Sequence, residues 1–428
     1  MLEPELEGMP RTELKEMQTK LLRKNVEACY TKMEMYNEKF KELGITPSDI
    51  KTLEDLTKLP FTTKEDLRAR YPLNGLLAVP MKDVVRFHMT SGTTGKPTIS
   101  PLTLNDLQLE YRLFARFYAA AGADKEDTLL CLFGYGLFLG GLVAGPAAEL
   151  IGMKHIPTGS GVSSARQLEL IQDLHPTVLA GTPSFILHIT EVAKEKNIDT
   201  KKLGIQVILE GAEACSNETR NKIRKDWNAD VYDIGGTCEL LHIWHECNEH
   251  IGLHIAEDTV IFEILDPERN EKVAANERGE LVVTTLMKEA MPLLRWRTRD
   301  ITSIVMEEPC TCGRTSRQID HLYGRVDDMV KVKGVQVFPS QIEEIIKSIP
   351  ELKDSEFQIV VDRTKMATDV LTIRVEAQEP SEATSKKIEE EVKNKILIST
   401  KVELVKPGTL PRFTHKAKRV IDLREAKL

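Results

Sequence analysis

The chain has 428 residues, more than one ordinary domain holds, with 41% hydrophobic residues, 29% charged residues and a formal net charge of −8. That balance suits sizeable hydrophobic cores, and the acidic excess excludes a general nucleic-acid binder, which needs a basic face. The acidic start, MLEPELEGMP, lacks the basic residues and apolar run of a signal peptide, and seven cysteines form no secreted disulfide pattern, so a cytoplasmic protein is expected.

Residues 10–43 place apolar side chains at helical spacing with Gly44 as a stop, which predicts one long helix. Short helices should open at Thr46-Pro47-Ser48-Asp49 and at Thr62-Thr63-Lys64-Glu65. Residues 79–320 then alternate two patterns. Short β-branched runs at 83–88, 128–132, 177–180, 205–209 and 230–234 read as strands, and 104–121, 165–173, 183–194 and 216–227 read as helices. This alternation predicts an α/β fold with a doubly wound, mostly parallel sheet. The most apolar stretch, 128–150, is interrupted by Gly134, Gly136, Gly140, Gly141, Gly145 and Pro146, which excludes a single membrane-spanning helix. Tyr135, Gly136, Phe138, Gly140 and Gly141 are expected in a loop.

From 258 to 305 strands follow one another without long helices, which predicts an antiparallel subdomain. Beyond Gly324 the pattern changes again: a strand and turn at 329–338, a helix at 340–348, strands at 357–362 and 370–377, a charged helix at 381–397 and a strand at 401–405. This is a small α+β unit of ordinary domain size. The expected division is therefore 1–325 and 326–428.

The strongest local signal is Thr90-Ser91-Gly92-Thr93-Thr94-Gly95-Lys96-Pro97-Thr98, directly after the strand at 83–88. Glycines let the backbone turn tightly, hydroxyls and free amides offer donors to phosphate oxygens, and Lys96 adds positive charge. The spacing is not that of a Walker A loop. A flexible hydroxyl-rich turn is the plain alternative.

The segment resembles the phosphate-binding loop of the adenylate-forming superfamily, and its neighbours narrow the resemblance to the phenylacetate–CoA ligase family. The supporting segments are Arg86-Phe87-His88, Phe133-Gly134-Tyr135-Gly136-Leu137-Phe138, Gly181-Thr182-Pro183-Ser184-Phe185, Gly211-Ala212-Glu213, Arg297-Thr298-Arg299-Asp300 and Cys310-Thr311-Cys312-Gly313-Arg314. Gly324-Arg325-Val326-Asp327-Asp328-Met329, running on to Phe338-Pro339-Ser340-Gln341-Ile342-Glu343, completes the series.

The resemblance implies an AMP-forming ligase that activates an aryl or arylacetic acid with ATP and Mg²⁺ and passes it to coenzyme A. It implies that 1–325 is an AMP-binding domain and that 326–428 is a mobile domain carrying a catalytic lysine. Ser91, Gly92, Thr93, Thr94, Gly95 and Lys96 would hold the ATP phosphates. Gly211, Ala212 and Glu213 would border the adenine, Asp233, Gly236 and Cys238 would lie nearby, and Asp300 with Arg325 would hold the ribose. Glu239 would hold Mg²⁺, an ion that prefers oxygen ligands. Lys416, in Pro411-Arg412-Phe413-Thr414-His415-Lys416, would offset charge in the adenylation transition state, with Lys418 two residues on as the competing lysine and a solvated basic tail as the plain alternative, and Asp327 would be the hinge. Tyr135, Gly136, Phe138 and Gly235 would line the acyl pocket. The resemblance also implies a homodimer.

Two departures stand out. Where the family has Tyr-Gly, a variable residue, Ser or Thr, then Glu, this chain reads Gly235-Gly236-Thr237-Cys238-Glu239, which should enlarge or reshape the acyl pocket and alter a phosphate or Mg²⁺ contact. His415 stands where the family has Gly before its lysine, which should stiffen that loop.

Cys247 with His254, and Cys310 with Cys312, offer two ligand pairs of the kind a tetrahedral structural zinc takes, though not at the spacing of a compact finger. His242, His245 and His250 compete as ligands, and reduced cysteines beside surface histidines are the plain alternative. The resemblance extends to a metal that some family members carry there.

Three other functions compete with that of a ligase. An adenylyltransferase resembling the deazaflavin-adenylating synthetases of methanogens would need no coenzyme A. A non-catalytic relative should have lost Lys416, Asp300 or the 91–96 loop, all of which are present. A dinucleotide oxidoreductase is excluded because Gly134-x-Gly136-x-x-x-Gly140 misses that fingerprint.

Overall fold

A computed structural model describes residues 1–90, 96–213, 215–326, 329–332, 335–353, 355–363, 369–411 and 419–424. The chain divides into two compact units. The first comprises Met1–Glu213, Lys222–Thr298 and Thr302–His321; the second comprises Ala214–Asn221, Arg299–Ile301 and Leu322–Leu428.

In the first unit, α1 (Pro4–Glu7) precedes α2 (Arg11–Lys32) and α3 (Glu34–Leu43). The long helix expected over 10–43 is thus two helices. Met33 is extended (φ −109°, ψ 112°) and buried, and Met35 N–H donates to Gly75 O at 3.2 Å rather than continuing the helical ladder. Periodicity cannot reveal a one-residue break when apolar positions continue on both sides of it. Asn37 Nδ2 satisfies Tyr30 O at the break, at 3.1 Å. Helix α4 (Lys64–Ala69) opens within the expected Thr62–Glu65 segment, capped by Thr63, which accepts from Asp66 N–H.

Strand β1 (Val84–Met89) pairs antiparallel with β2 (Ile99–Thr103), in the register His88↔Ser100 and Met89↔Ile99. The expectation that 83–88 joins the parallel sheet is therefore corrected. The two strands form a separate two-stranded sheet closed by Thr90 N–H donating to Thr98 O at 3.1 Å. Helix α5 (Leu104–Ala120) follows, capped by Thr103 with Asp106 in a reciprocal box.

The predicted alternation then holds: β3 (Thr128–Cys131), α6 (Leu139–Leu150), β4 (Lys154–Ile156), α7 (Ser164–Leu174), β5 (Val178–Gly181), α8 (Pro183–Glu195), β6 (Val207–Glu210), α9 (Asn217–Trp227) and β7 (Asp230–Thr237). Strand β3 pairs in parallel with β4 and β5, β5 with β6, and β6 with β7. The three-residue β4 is too short for a sequence pattern to reveal. Leu130, Leu132, Leu168, Ile171, Leu179, Ile186, Ile189, Ile208, Trp227 and Val231 form a core between this sheet and its helices. Gly140 and Gly141, expected in a loop, lie in the first turn of α6. A Cβ on Gly141 would stand 2.5 Å from Gly134 O, so only glycine lets the helix start against that backbone.

Strands β8 (Leu241–His245) and β9 (Leu253–Ile255) extend the sheet antiparallel beyond β7. The antiparallel stretch expected from 258 contains β10 (Val260–Leu265) and β11 (Gly279–Thr285), paired antiparallel, then β12 (Trp296–Thr302). Strands β13 (Ile304–Met306) and β14 (Gln318–Ile319) complete the large sheet at the β9 edge.

In the second unit, β15 (Gly324–Arg325) pairs with Asp300 and Ile301 of β12. A hairpin of β16 (Val330–Val332) and β17 (Val335–Val337) precedes α10 (Pro339–Lys347). Strands β18 (Phe357–Arg363) and β19 (Asp369–Glu376), helix α11 (Glu382–Ile396), β20 (Lys401–Val405) and β21 (Val420–Asp422) complete it, in the sheet order β20-β19-β18-β21. Ile342, Ile345, Ile346, Ile359, Ile373, Ile388 and Val392 join the helices to this sheet. Strand β21, too short to be foreseen, pairs in parallel with β18. Among the described residues, no helix is long and apolar enough to cross a membrane.

Helix α2 is tied to the β-structure by polar side chains. Gln18 Nε2 donates to Glu257 O at 2.8 Å, Asn25 Nδ2 to Thr285 O at 2.5 Å, and the buried Glu257 carboxylate takes Arg11 at 2.5 Å and Arg317 at 2.8 Å. Burial raises the Glu257 pKa, but the guanidinium groups of Arg317 and Arg11 outweigh it and hold the group below the usual carboxylate range. A lowered folded pKa contributes stability above the unfolded value, and that contribution is lost as pH falls through the folded value. Glu257→Gln should therefore cost roughly 3 kcal/mol at pH 7. The difference between the variant's and the parent's denaturant midpoints should shrink as the pH is taken below about 4.3.

Candidate active site

Strand β7 ends at Thr237 and β8 starts at Leu241, so Cys238-Glu239-Leu240 is a tight turn, closed by Leu240 N–H donating to Thr237 O at 3.1 Å with Leu241 at φ 74°. The turn buries the Glu239 side chain. Thr98 Oγ1 donates to Glu239 Oε1 at 2.6 Å and lies 3.1 Å from Thr90 Oγ1, so the two threonines at the base of the glycine-rich segment also hold the carboxylate. Among the described residues, none donates to the other carboxylate oxygen of Glu239.

Lys288, following β11, donates to Glu239 O at 2.7 Å and to Ser100 Oγ at 2.8 Å. Cys238 Sγ lies 3.7 Å from Met89 O, and burial, reinforced by the Glu239 charge, pushes its thiol up to about 12. It is thus a neutral thiol in contact with the β1 backbone. Lys96 is exposed, with Nζ 5.2 Å from the Tyr71 ring centre. Ser91, Gly92, Thr93, Thr94 and Gly95 lie outside the described residues.

Beside β7, Gly211 follows β6 so closely that a Cβ there would lie 2.3 Å from Ile234 O, and Ala212 adopts φ 67°. Glu213 accepts from Ser184 Oγ at 2.9 Å and Ser184 N–H at 3.2 Å, at the start of α8. Asp233 Oδ2 accepts from His321 Nδ1 at 2.8 Å. Gly211, Ala212 and Glu213 follow the C-terminal end of β6, and Asp233 is the last residue of β7 paired in parallel with it, at the edge where open α/β sheets bind ligands.

The Tyr135 loop is held to β1: Met89 N–H and His88 Nδ1 both reach Leu137 O, at 3.0 and 3.1 Å. Tyr135 and Phe138 are exposed, and the Tyr135 hydroxyl lies 3.3 Å from His155 Nε2. Gly136 has nothing within 4 Å of where its Cβ would stand. Gly235 does not leave open space. A Cβ there would lie 2.1 Å from Trp244 Nε1, its cross-strand partner, so an indole fills the place that the missing aromatic was expected to vacate. At Gly236 a Cβ would meet Leu241 O at 2.0 Å.

In the second unit, Arg325 Nη1 donates to Asp300 Oδ1 at 2.7 Å, across paired strands. Asp300 is 6% exposed, which sets the pair apart from a solvated surface bridge. Asp327 and Lys416, with its neighbour His415, lie outside the described residues.

The thiol–imidazole cluster does assemble, within the first unit. One ligand atom each from Cys247, His254, Cys310 and Cys312 falls within a set no two of which are more than 4.8 Å apart. Cys247 Sγ lies 3.9 Å from Cys310 Sγ, and Cys312 Sγ lies 3.5 Å from His254 Nε2. Ser316 Oγ, 3.0 Å from His254 Nδ1, orients the ring so that Nε2 faces the thiols, and all three cysteines are free. The competing histidines are placed differently. His242 is held by Glu110, His250 stacks on Tyr232, and His245 has its ring centre 5.8 Å from that of His254. Three thiols and an oriented imidazole make the four ligands that fit a tetrahedral Zn²⁺.

Residues 20–287 match the AMP-binding enzyme family, and residues 334–424 match the AMP-binding enzyme C-terminal domain. A phenylacetate-coenzyme A ligase of Thermus thermophilus is 37% identical over 449 aligned positions, covering 99% of this chain and 100% of that protein. The phenylacetate-coenzyme A ligase of Escherichia coli K12 is 39% identical, covering 96% of this chain and 95% of that one. The chain belongs to the phenylacetate–CoA ligase family. Its fold agrees with that of a 2-hydroxyisobutyryl-CoA ligase solved in the postadenylation state with 2-HIB-AMP, at a TM-score of 0.87 and 28% identity over 99% of this chain and 92% of the other.

Within this family member, Lys288, Trp244 and His321 belong to no motif read in the sequence, and Thr98 enters only as the last residue of the glycine-rich segment. Lys288 carries the one visible signal, a lysine inside the otherwise mostly apolar run TTLMKEAMPLL. Gly235→Ala should cost about 1–3 kcal/mol through overpacking. Adding Trp244→Leu should recover part of that loss in thermal melts, because the three atoms nearest the new methyl group all belong to that indole.

Proposed function

We propose that the protein is an AMP-forming acid–CoA ligase whose acid is an aryl or arylacetic acid such as phenylacetate. The carrying observation is near-end-to-end likeness to phenylacetate-coenzyme A ligases at 37–39% identity. In the first step a substrate carboxylate oxygen attacks the α-phosphorus of ATP, pyrophosphate leaves and an acyl-adenylate forms. In the second the coenzyme A thiol attacks the acyl carbon, AMP leaves and the thiol proton passes to solvent.

The 91–96 loop would hold the triphosphate, with Thr90 and Thr98 fixing its base. Gly211, Ala212 and Glu213 would border the adenine near Asp233, Gly236 and Cys238. Asp300, oriented by Arg325, would accept the ribose hydroxyls. Glu239, to whose second carboxylate oxygen none of the described residues donates, would hold Mg²⁺, which when bound supplies charge neutralisation to the phosphates. Lys416 would stabilise charge developing at the α-phosphate, and Asp327 would let the 326–428 domain exchange faces between the two steps. Tyr135, Gly136, Phe138 and Gly235 would line the acyl pocket, with Trp244 closing its glycine side. The protein would work in the cytoplasm as a homodimer, on small molecules and not on nucleic acid or membrane.

Pyrophosphate and AMP release across aryl, arylalkyl and aliphatic acids, with and without coenzyme A, tests this reading. AMP release that requires both an arylacetic acid and coenzyme A is expected. Pyrophosphate release with a stable adduct and no need for coenzyme A would instead identify an adenylyltransferase. Lys416→Ala should lower the adenylation rate by about 10²–10³ with the melting temperature unchanged, and a near-normal rate would remove Lys416 from the mechanism.

Cys247, His254, Cys310 and Cys312 would hold one structural Zn²⁺, clipping β9 to the 310–312 turn with no position open to substrate. Metal analysis of the purified protein should find about one zinc per chain. Cys310→Ser should abolish it and lower the melting temperature.

A further inference from the structure

Lys288 is 4% exposed, and its ammonium makes two hydrogen bonds, to the hydroxyl of Ser100 and the backbone carbonyl of Glu239. Both acceptors are neutral. Burying an ammonium costs several kcal/mol even after relaxation, so a methionine of similar length would serve packing better. The surrounding acids do not need Lys288 as a direct partner. Asp106 accepts from Glu289 N–H at 2.7 Å, Ala290 N–H at 3.0 Å and Thr103 N–H at 2.9 Å. Glu110 accepts from His242 N–H at 3.0 Å and pairs with its ring. What the ammonium does directly is join two segments: β2, two residues beyond Thr98, and the turn that carries Glu239.

Glu239 is thus held at both ends from the same hairpin. Thr98 grips its carboxylate at 2.6 Å, and Ser100, through Lys288, grips its backbone carbonyl. Burial lowers the Lys288 pKa, and the charges of Asp106, Glu239 and Glu110 oppose that shift in favour of the ammonium form that this bridge uses.

We propose that Lys288 is a positioning residue for adenylation: it locks the Glu239 turn onto the strand leaving the phosphate loop, so that the free carboxylate oxygen meets the nucleotide-bound Mg²⁺ in one orientation. This rests on the reading that Glu239 holds Mg²⁺.

The test uses the full-length enzyme. Acid-dependent pyrophosphate release is measured against Mg²⁺ concentration for the parent, Lys288→Met, Glu239→Gln and the double variant, with a melting temperature for each. Lys288→Met should raise the half-saturating Mg²⁺ concentration by about 10- to 100-fold, as loss of a group supporting a metal ligand does. The double variant should be no worse than Glu239→Gln alone.

A shift with Glu239→Gln but none with Lys288→Met, even if melting falls, overturns the proposal and leaves the Glu239 reading standing. Absence of a shift with Glu239→Gln overturns that reading and the proposal with it. Shifts that add in the double variant show that Lys288 acts independently of Glu239, which also overturns it. Should Lys288→Met not fold, Ser100→Ala removes the other end of the bridge: a smaller Mg²⁺ shift in the same direction supports the proposal, and an unchanged Mg²⁺ dependence overturns it.

Discussion

Strand β7 changes partners along its own length, and the arrangement of the site depends on that change. Its first four residues, Asp230 to Asp233, pair in parallel with β6, whereas Ile234 to Thr237 pair antiparallel with β8. The switch falls where the parallel strands end, so the sheet continues while its ligand-facing edge opens. Two glycines make the switch sterically possible, since a side chain at 235 would meet an indole and one at 236 would meet the backbone of the returning strand. The turn that follows must be tight, and it turns Glu239 inward to the threonine at the foot of the β1–β2 hairpin. The β1–β2 hairpin, outside the main sheet, is thereby tied to that sheet through the Glu239 carboxylate, beside the bridge that Lys288 makes to its backbone.

Buried charge is used in the same manner elsewhere in this unit. Arg116 is shared between Glu3 and Asp258, Arg314 is paired with Glu7, and Arg295 with Glu263. Each pair joins segments far apart in sequence. Removing one partner leaves a desolvated charge, which is what makes such pairs specify an arrangement even where they add little net stability.

Most of the α/β alternation was legible because β-branched runs and helical periodicity alternate cleanly. The helices start where the periodic segments begin, each capped by a hydroxyl side chain (Thr103, Ser163 and Thr182) that the sequence reading did not name as a cap, and the four principal parallel strands fall within a residue or two of the β-branched runs, with β7 running on to Thr237. What escaped is of three physical kinds. A single extended residue, Met33, splits a helix without disturbing its periodicity. Strands of three residues, such as β4 and β21, are too short to carry a pattern. The pairing of β1 depends on a partner, β2, whose Pro101 argues against a strand in isolation and is tolerated in a two-stranded sheet. At the site, motif resemblance marked Glu239, Asp300 and the four metal-ligand candidates, and the structure brings the latter together. It could not mark Lys288 or Trp244, nor the grip of Thr98 on Glu239, because their importance lies in what they touch across the fold.

The contact between Trp244 and Gly235 has an optical consequence. Of the chain's three tryptophans, Trp227 is hydrogen-bonded to Thr190 inside the helical layer, whereas Trp244 lies with its indole nitrogen edge against the glycine pair that ends β7. Indole emission follows the polarity and rigidity of its surroundings, so this side chain is a built-in fluorophore at the switch point. Any rearrangement of the glycine pair would alter its spectrum without an added label.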